Sequence, residues 1–215
     1  MLLTPCCSLS HAQDEYYDID SILAAEERVP CTFEVDAVGL GYLDASCVDD
    51  DLALDSKVEL PFWLGEVLAR KNMVRAEMLR CFNARYLAHL NAGPAGVNLR
   101  EQNPYFYRIG RACARLLRDT AREPSERAEA EAVDTALVTT FSGDRFSEIL
   151  DYCLNSRDED LTAFTGKLTS IERRLFDAGF KASRDLFQWK SRQNGMIEAS
   201  AVVARSSSAK RRKIT

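Results

Sequence analysis

Lys57-Val58-Glu59-Leu60-Pro61-Phe62-Trp63-Leu64-Gly65-Glu66-Val67-Leu68 is the stretch on which the fold turns. Before it, apolar residues come in short runs broken by Gly, Pro and Asp; after it they recur at helical spacing almost to the end. Val58 and Leu60 alternate with Lys57 and Glu59, the period-two pattern of a half-buried strand. Pro61 removes a backbone donor and fixes φ, which ends a strand and suits the first turn of a helix. Phe62, Trp63, Leu64, Val67 and Leu68 follow as an apolar cluster. The segment therefore reads as both the last strand of an N-terminal unit and the start of a helical one. Leu60, Pro61, Phe62, Trp63 and Leu64 form the hinge between them, with Trp63 expected to be buried.

Toward the N-terminus, residues 1–14 carry few large apolar side chains and read as a frayed tail. Asp20 or Ser21 is placed to cap a short helix carrying Ile22 and Leu23, which Val29-Pro30 stops. Cys31-Thr32-Phe33-Glu34-Val35 alternates as a strand, and Gly39 to Leu43 reads as a second short strand with a glycine bend. Asp49, Asp50, Asp51 and Asp55 lack the alternate spacing and terminal Glu of a calcium loop, so they read as a solvated loop. The expected organisation is a small β-rich domain with a disordered N-terminal tail over 1–60, a helical domain over 61–194 and a disordered basic tail over 195–215. The fold class is mainly α: a helical bundle preceded by a small β-rich domain.

Toward the C-terminus, Val74, Met78, Phe82, Tyr86 and Leu90 recur every fourth residue and predict one helix of about five turns, ended by Asn91-Ala92-Gly93-Pro94. Asn103-Pro104 opens another, with Phe106, Ile109, Cys113, Leu116 and Leu117 as its buried side. Arg108, Arg111, Arg115 and Arg118 share much of the opposite side. Such a stripe suits nucleic acid or an acidic partner, or is a solvated face with cations toward the negative end of the helix dipole. Val133, Leu137, Phe141, Ile149, Leu150 and Cys153 continue as a helix with a weak point at Gly143. In the last helix, Leu161, Phe164, Leu168, Ile171, Leu175, Ala178, Ala182 and Trp189 fall on a 3-4 repeat, a seam for a facing helix. Phe176, Phe180, Leu186 and Phe187 lie off that line. A helix apolar on more than one side is buried on more than one side, which makes Leu168, Ile171, Leu175, Phe176, Phe180 and Trp189 candidates for a subunit interface.

Composition narrows the function classes. The 215 residues are 46% hydrophobic and 28% charged, enough for a folded core, and the formal net charge of −5 makes the chain as a whole a poor neutraliser of phosphates. The seven cysteines are odd in number and include no C-x-x-C, which points to packing thiols in a reducing compartment. No apolar run approaches the roughly 20 residues of a membrane span, and the N-terminus lacks the pattern of a signal peptide. His11 and His89, the two histidines, have no Cys or His at ligand spacing. Phosphate loops, dinucleotide-binding glycines and nucleophile elbows are absent from the sequence. No catalytic, cofactor-binding or metal-ligating residue is proposed, and enzyme activity is not expected. Lys210, Arg211, Arg212 and Lys213, after a serine run, form a candidate nuclear localisation signal.

Taken in order, these pieces resemble the Psf-three family of subunits of the eukaryotic GINS complex. Asp18 to Leu23 followed by Val29-Pro30 is similar to that family's opening, and Lys57 to Leu64 is the strongest match. Pro104-Tyr105-Phe106-Tyr107, Gly110 and Leu116-Leu117 follow, then Phe141, Arg145 and Ile149-Leu150-Asp151, then Glu172, Leu175-Phe176, Gly179 and Trp189. The departures are the Cys-rich start, the Ala-rich segment from Ala128 to Ala136, and Gly143. The resemblance implies a scaffold subunit without chemistry of its own, in a heterotetramer with Sld-five, Psf-one and Psf-two. It implies that the tetramer joins the MCM hexamer and the Cdc-forty-five protein as the replicative helicase, serving initiation and elongation of chromosomal DNA replication in the nucleus. The alternatives are an unrelated helical nuclear adaptor and a DNA-binding module working through the arginine stripe.

Overall fold

A computed structural model describes residues 17–44, 50–156 and 160–191. The chain opens with α1, Ile19–Ala25. Its cap is Asp18, slightly ahead of the expected Asp20 or Ser21: the Asp18 carboxylate accepts from the Asp20 amide at 3.3 Å and from the Ser21 hydroxyl at 3.2 Å. Three antiparallel strands follow in the order β2-β1-β3, with β1 at Arg28–Phe33, β2 at Lys57–Pro61 and β3 at Val74–Ala76. Cys31 stands opposite Val58 on one side and Ala76 on the other; Val29 faces Leu60, and Phe33 faces Val74. All seven are buried, so the period-two alternation puts a single apolar face on the core.

Pro61 ends β2 as the sequence implies, and the Phe62 amide, freed from the ladder, donates to the Glu27 carbonyl at 2.8 Å. Helix α2, Phe62–Arg70, starts there. It buries Phe62, Gly65 and Ala69, one face at helical spacing. Trp63 and Val67 fall on the opposite side, and Trp63 is 49% exposed. The expected burial of Trp63 is therefore corrected: with Phe62 and Gly65 turned onto β1, the next position along the helix points outward.

Two other expectations change. Val74 does not begin a five-turn helix. After α2 the chain reverses through Asn72, whose φ of +56° is left-handed, and Val74 lands beside the open edge of β1. Val74 and Ala76 are both inward-facing there, a spacing that a helical reading absorbs equally well. Only Ala84–Ala92, here α3, is α-helical, and it stops at Gly93-Pro94. Gly39 to Leu43 is not a strand either. Gly39 turns the chain with a φ of +75°, and Gly41–Leu43 is a single 3-10 turn. The loop acids serve this backbone, since Asp51 accepts from the Gly39 amide at 2.8 Å and Asp36 from the Leu54 amide at 2.9 Å.

A short α4, Leu99–Gln102, leads to α5, Phe106–Thr120, and α6, Pro124–Thr140. These two pack closely because Gly110 and Ala114 of α5 and Ala130 of α6 are small and buried. Residues Phe141–Arg145 then form a π-helical segment broken at Gly143, and α7, Phe146–Asn155, continues beyond it. The weak point expected at Gly143 is thus a wide turn that re-aims the helix. Helix α8 spans Thr162–Thr165 and α9 spans Ser170–Lys190. Leu161 and Phe164 precede α9, because Thr169 and Glu172 form a capping box that starts a new helix.

The apolar core does not divide at residue 60. One cluster runs from Val29, Cys31 and Leu60 through Phe82, Leu90 and Phe106 to Leu137. A second, smaller one holds Ile149, Cys153, Leu168 and Phe176 between α7 and α9.

Candidate interaction surfaces

The two cores meet at one buried ion pair. Arg145, carried inward by the π-helical segment, donates from Nε to Glu172 Oε1 at 2.6 Å and from Nη2 to Oε2 at 2.9 Å. Its Nη1 donates to the carbonyls of Pro94 and Val97, both at 2.9 Å. Glu172 also accepts from the Tyr107 hydroxyl at 2.9 Å, the Thr169 amide at 2.9 Å and the Thr169 hydroxyl at 3.0 Å. Burial works to raise the Glu172 carboxyl, but the hydrogen bonds and charge of Arg145 outweigh it and hold the group below its ordinary value. Burial, helped by the Glu172 charge, pushes the Tyr107 phenol well up. Four of the five Arg145 N–H groups and both Glu172 oxygens are engaged within the chain, the bonding of a pair that holds the junction together.

Burial likewise pushes the Cys31 and Cys81 thiols up to about 11, which keeps them protonated and unreactive at neutral pH. Among the described residues no group of three or more His, Cys, Asp or Glu is placed to hold a metal ion. No described helix is long and apolar enough to cross a membrane.

The surface carries exposed apolar residues in pairs. Leu150 and Leu154, one turn apart on α7, are 40% and 57% exposed. On the C-terminal half of α9, Leu186 is 51% and Trp189 69% exposed. Helix α1 carries Ile19, Ile22 and Leu23 outward, and α2 carries Trp63 and Val67. Single exposed apolar residues are ordinary, but pairs at helical spacing on neighbouring helices make patches that a partner would cover.

The candidate residues divide accordingly. Trp189 lies on the surface. Ile171, Leu175 and Phe180 are partly buried against this chain's own cores. Leu168 and Phe176 are buried at 3% and 4% exposure, so they belong to the interior and have no surface to give. The 3-4 repeat misplaced the inward face of α9: Glu172, a charged residue, is wholly buried, and Phe176 and Phe180 follow it at spacings of four while Ala178 and Ala182 face out. Hydrophobic spacing alone cannot register a helix whose anchor is a carboxylate. In the hinge, Leu60 and Phe62 are buried, Pro61 and Leu64 half-buried. Lys210 to Lys213 lies outside the described residues.

Half of the arginine stripe is internal wiring. Arg108 pairs with Asp18 at 2.6 Å and also donates to the Ser21 hydroxyl, so it ties α5 to α1. Arg111 donates to Asp134 of α6 at 3.3 Å. That leaves Arg115, with no ion pair among the described residues, and Arg118, loosely paired with Asp119 at 3.9 Å.

Comparison with known proteins accounts for nearly the whole described chain. The PSF3 N-terminal domain matches residues 17–70, and the helical bundle domain of GINS complex proteins matches residues 81–190. The chain is 35% identical over 182 residues to the DNA replication complex GINS protein PSF3 of Phaeosphaeria nodorum, covering 81% of this chain and 94% of the relative. It is 32% identical over 183 residues to a probable DNA replication complex GINS protein PSF3 of Dictyostelium discoideum, covering 85% of this chain but only 64% of that longer relative. To the Homo sapiens GINS protein PSF3 it is 29% identical over 198 residues, with 89% and 87% coverage.

Proposed function

The chain belongs to the PSF3 family of GINS proteins, and we propose that it acts as a non-catalytic scaffold subunit of a DNA replication complex, joined to the other GINS subunits through its helices. The observation that carries the mode of action is the pair of apolar patches on α7 and α9, Leu150 with Leu154 and Leu186 with Trp189, on a chain whose buried polar groups are structural. The partners on this reading are Sld-five, Psf-one and Psf-two, with the MCM hexamer and the Cdc-forty-five protein reached through the assembled complex. A role in the nucleus follows, and the basic run Lys210 to Lys213 supplies an import signal. Leu60 to Leu64 fixes the β-sheet against the helices and so sets the angle at which both are presented. In support, Leu60 and Phe62 are anchored in a core shared by both parts.

Co-expression with the three partner subunits tests this. The chain is expected to be poorly soluble alone and to be recovered in a 1:1:1:1 complex. Leu186→Glu combined with Trp189→Glu should abolish recovery of that complex, since two charges would be carried into an apolar contact. A monomeric, well-behaved chain that ignores the three partners would overturn the proposal. A double variant that still assembles would remove the α9 end from the interface.

A further inference from the structure

Arg111, Arg115 and Arg118 stand at i, i+4 and i+7 on α5, so their Cα atoms cover roughly 10 Å of one helix face. All three are exposed, the Arg111 and Arg118 side chains at 58% and 45%. All three line a small concavity of about 70 Å³ between α5 and α6, whose remaining lining is Ala114, Ala130 and Asp134. Ala114 and Ala130 are buried, at 3% and 1% exposure, so the floor is helix backbone and methyl groups. A bound group can settle between the guanidinium stems without meeting a bulky side chain. Asp134 is half-engaged with Arg111 at 3.3 Å, and it is the one carboxylate among the lining residues. The lining therefore carries an excess of positive charge on a chain whose net charge is −5.

We infer that this concavity binds a single phosphate group carried on a side chain of a partner protein, a phosphoserine or phosphothreonine in an extended segment. Clusters of arginines recognise such groups through paired N–H donors matched to the phosphate oxygens. The size fits one tetrahedral anion. A long polyanion would need more basic contacts than these three arginines, on a chain whose net charge is −5. The lining also has no aromatic side chain on which a base could stack. Arg111, held by Asp134, is the fixed wall. Arg115, with no ion pair among the described residues, and Arg118, loosely held by Asp119, are the donors free to close on the ligand. The inference is independent of how the subunit assembles, since it uses a face that the apolar patches on α7 and α9 do not include.

The test is fluorescence anisotropy with the full chain, purified with its co-expressed partner subunits or alone. The probes are a degenerate seven-residue peptide pool with a central phosphoserine, the same pool with serine, and a 20-nucleotide single strand. The phosphoserine pool should bind at least about tenfold more tightly than the serine pool, as charged hydrogen bonds require. Inorganic phosphate should compete, and Arg115→Ala or Arg118→Ala should each weaken binding by about tenfold. Arg115→Lys should not restore it, because lysine lacks the paired donors. Arg70→Ala, which removes an exposed arginine elsewhere, should change nothing. Equal binding of the two peptide pools, or indifference to the Arg115 and Arg118 variants, would overturn the proposal. So would tighter binding of the single strand with a salt dependence of several phosphates, which would make the groove a nucleic-acid site.

Discussion

Arg145 and Glu172 meet side-on as a two-point pair, Nε to Oε1 at 2.6 Å and Nη2 to Oε2 at 2.9 Å, with side chains only 5% and 0% exposed. Breaking such a pair from one side leaves a bare charge in the interior, which costs about 3–5 kcal/mol. Glu172→Ala and Arg145→Ala should each destabilise by that order in urea denaturation. The double change Arg145→Met with Glu172→Leu should cost less than either single one, because no charge is left stranded. A double variant as unstable as the sum of the two would show that shape, and not charge, holds the junction.

The pH dependence follows from the same pair. Glu172 is held below the ordinary carboxyl value of 4.5 in the folded chain, so the unfolded chain takes up its proton first as pH falls. Its contribution is complete above about pH 4.5 and is lost as pH drops through the lowered folded value. Unfolding free energy measured from pH 6 down to pH 3 should therefore fall more steeply in the parent than in Glu172→Gln. Parallel curves would mean that Glu172 titrates alike in both states.

Trp63 and Phe62 are neighbours with opposite fates. Phe62→Ala empties a site in the main core and should cost about 3–5 kcal/mol. Trp63→Ala removes a half-exposed ring and should cost this chain under about 1 kcal/mol. If Trp63 contacts a partner subunit, its loss will appear in the yield of the complex and not in the melting of the chain. A large loss of intrinsic stability would restore the buried-hinge reading of Trp63.

Gly110 marks the closest approach of α5 to its surroundings. A Cβ built there would lie 2.6 Å from Phe82 Cζ and 2.7 Å from Leu137 Cδ1, both in the packed core. Gly110→Ala gains helix propensity but must push these rings and methyls apart, for a net loss of about 1–3 kcal/mol. Thermal melting at or above the parent's would show that Phe82 rotates out of the way at little cost.

Much of this was legible in the residues. The strand-to-helix switch at Pro61, the core face of α5, the stop at Gly93-Pro94 and the fault at Gly143 follow from backbone chemistry that acts locally. The failures share a different cause. Val74 joins the sheet because β1 had an unpaired edge at that place, a fact about a strand more than 40 residues away. The true face of α9 is set by Glu172, whose burial is tolerable only because Arg145, Tyr107 and Thr169 converge on it. Arg145 and Glu172 were visible as members of an ordered series, but nothing in their spacing said that they touch. Trp63 looked like core material because an aromatic residue beside a buried one is indistinguishable from it until the helix phase is known.

The π-helical segment at Phe141–Arg145 also has a bearing on how the subunit survives in a cell. By re-aiming α7 it hands α7 and α9 to a second core with four buried residues, Ile149, Cys153, Leu168 and Phe176. So small an interior gives little cooperativity of its own, and the helices that enclose it carry the exposed leucines of α7 and the exposed end of α9. An orphaned copy should open there first, offering proteases and chaperones a handle that assembly would conceal. Hydrogen exchange in α7 and α9 should then run ahead of exchange in α5 and α6 in the free chain, and slow on assembly. The abundance of the subunit would be set by the supply of its partners, through the turnover of the copies left without them.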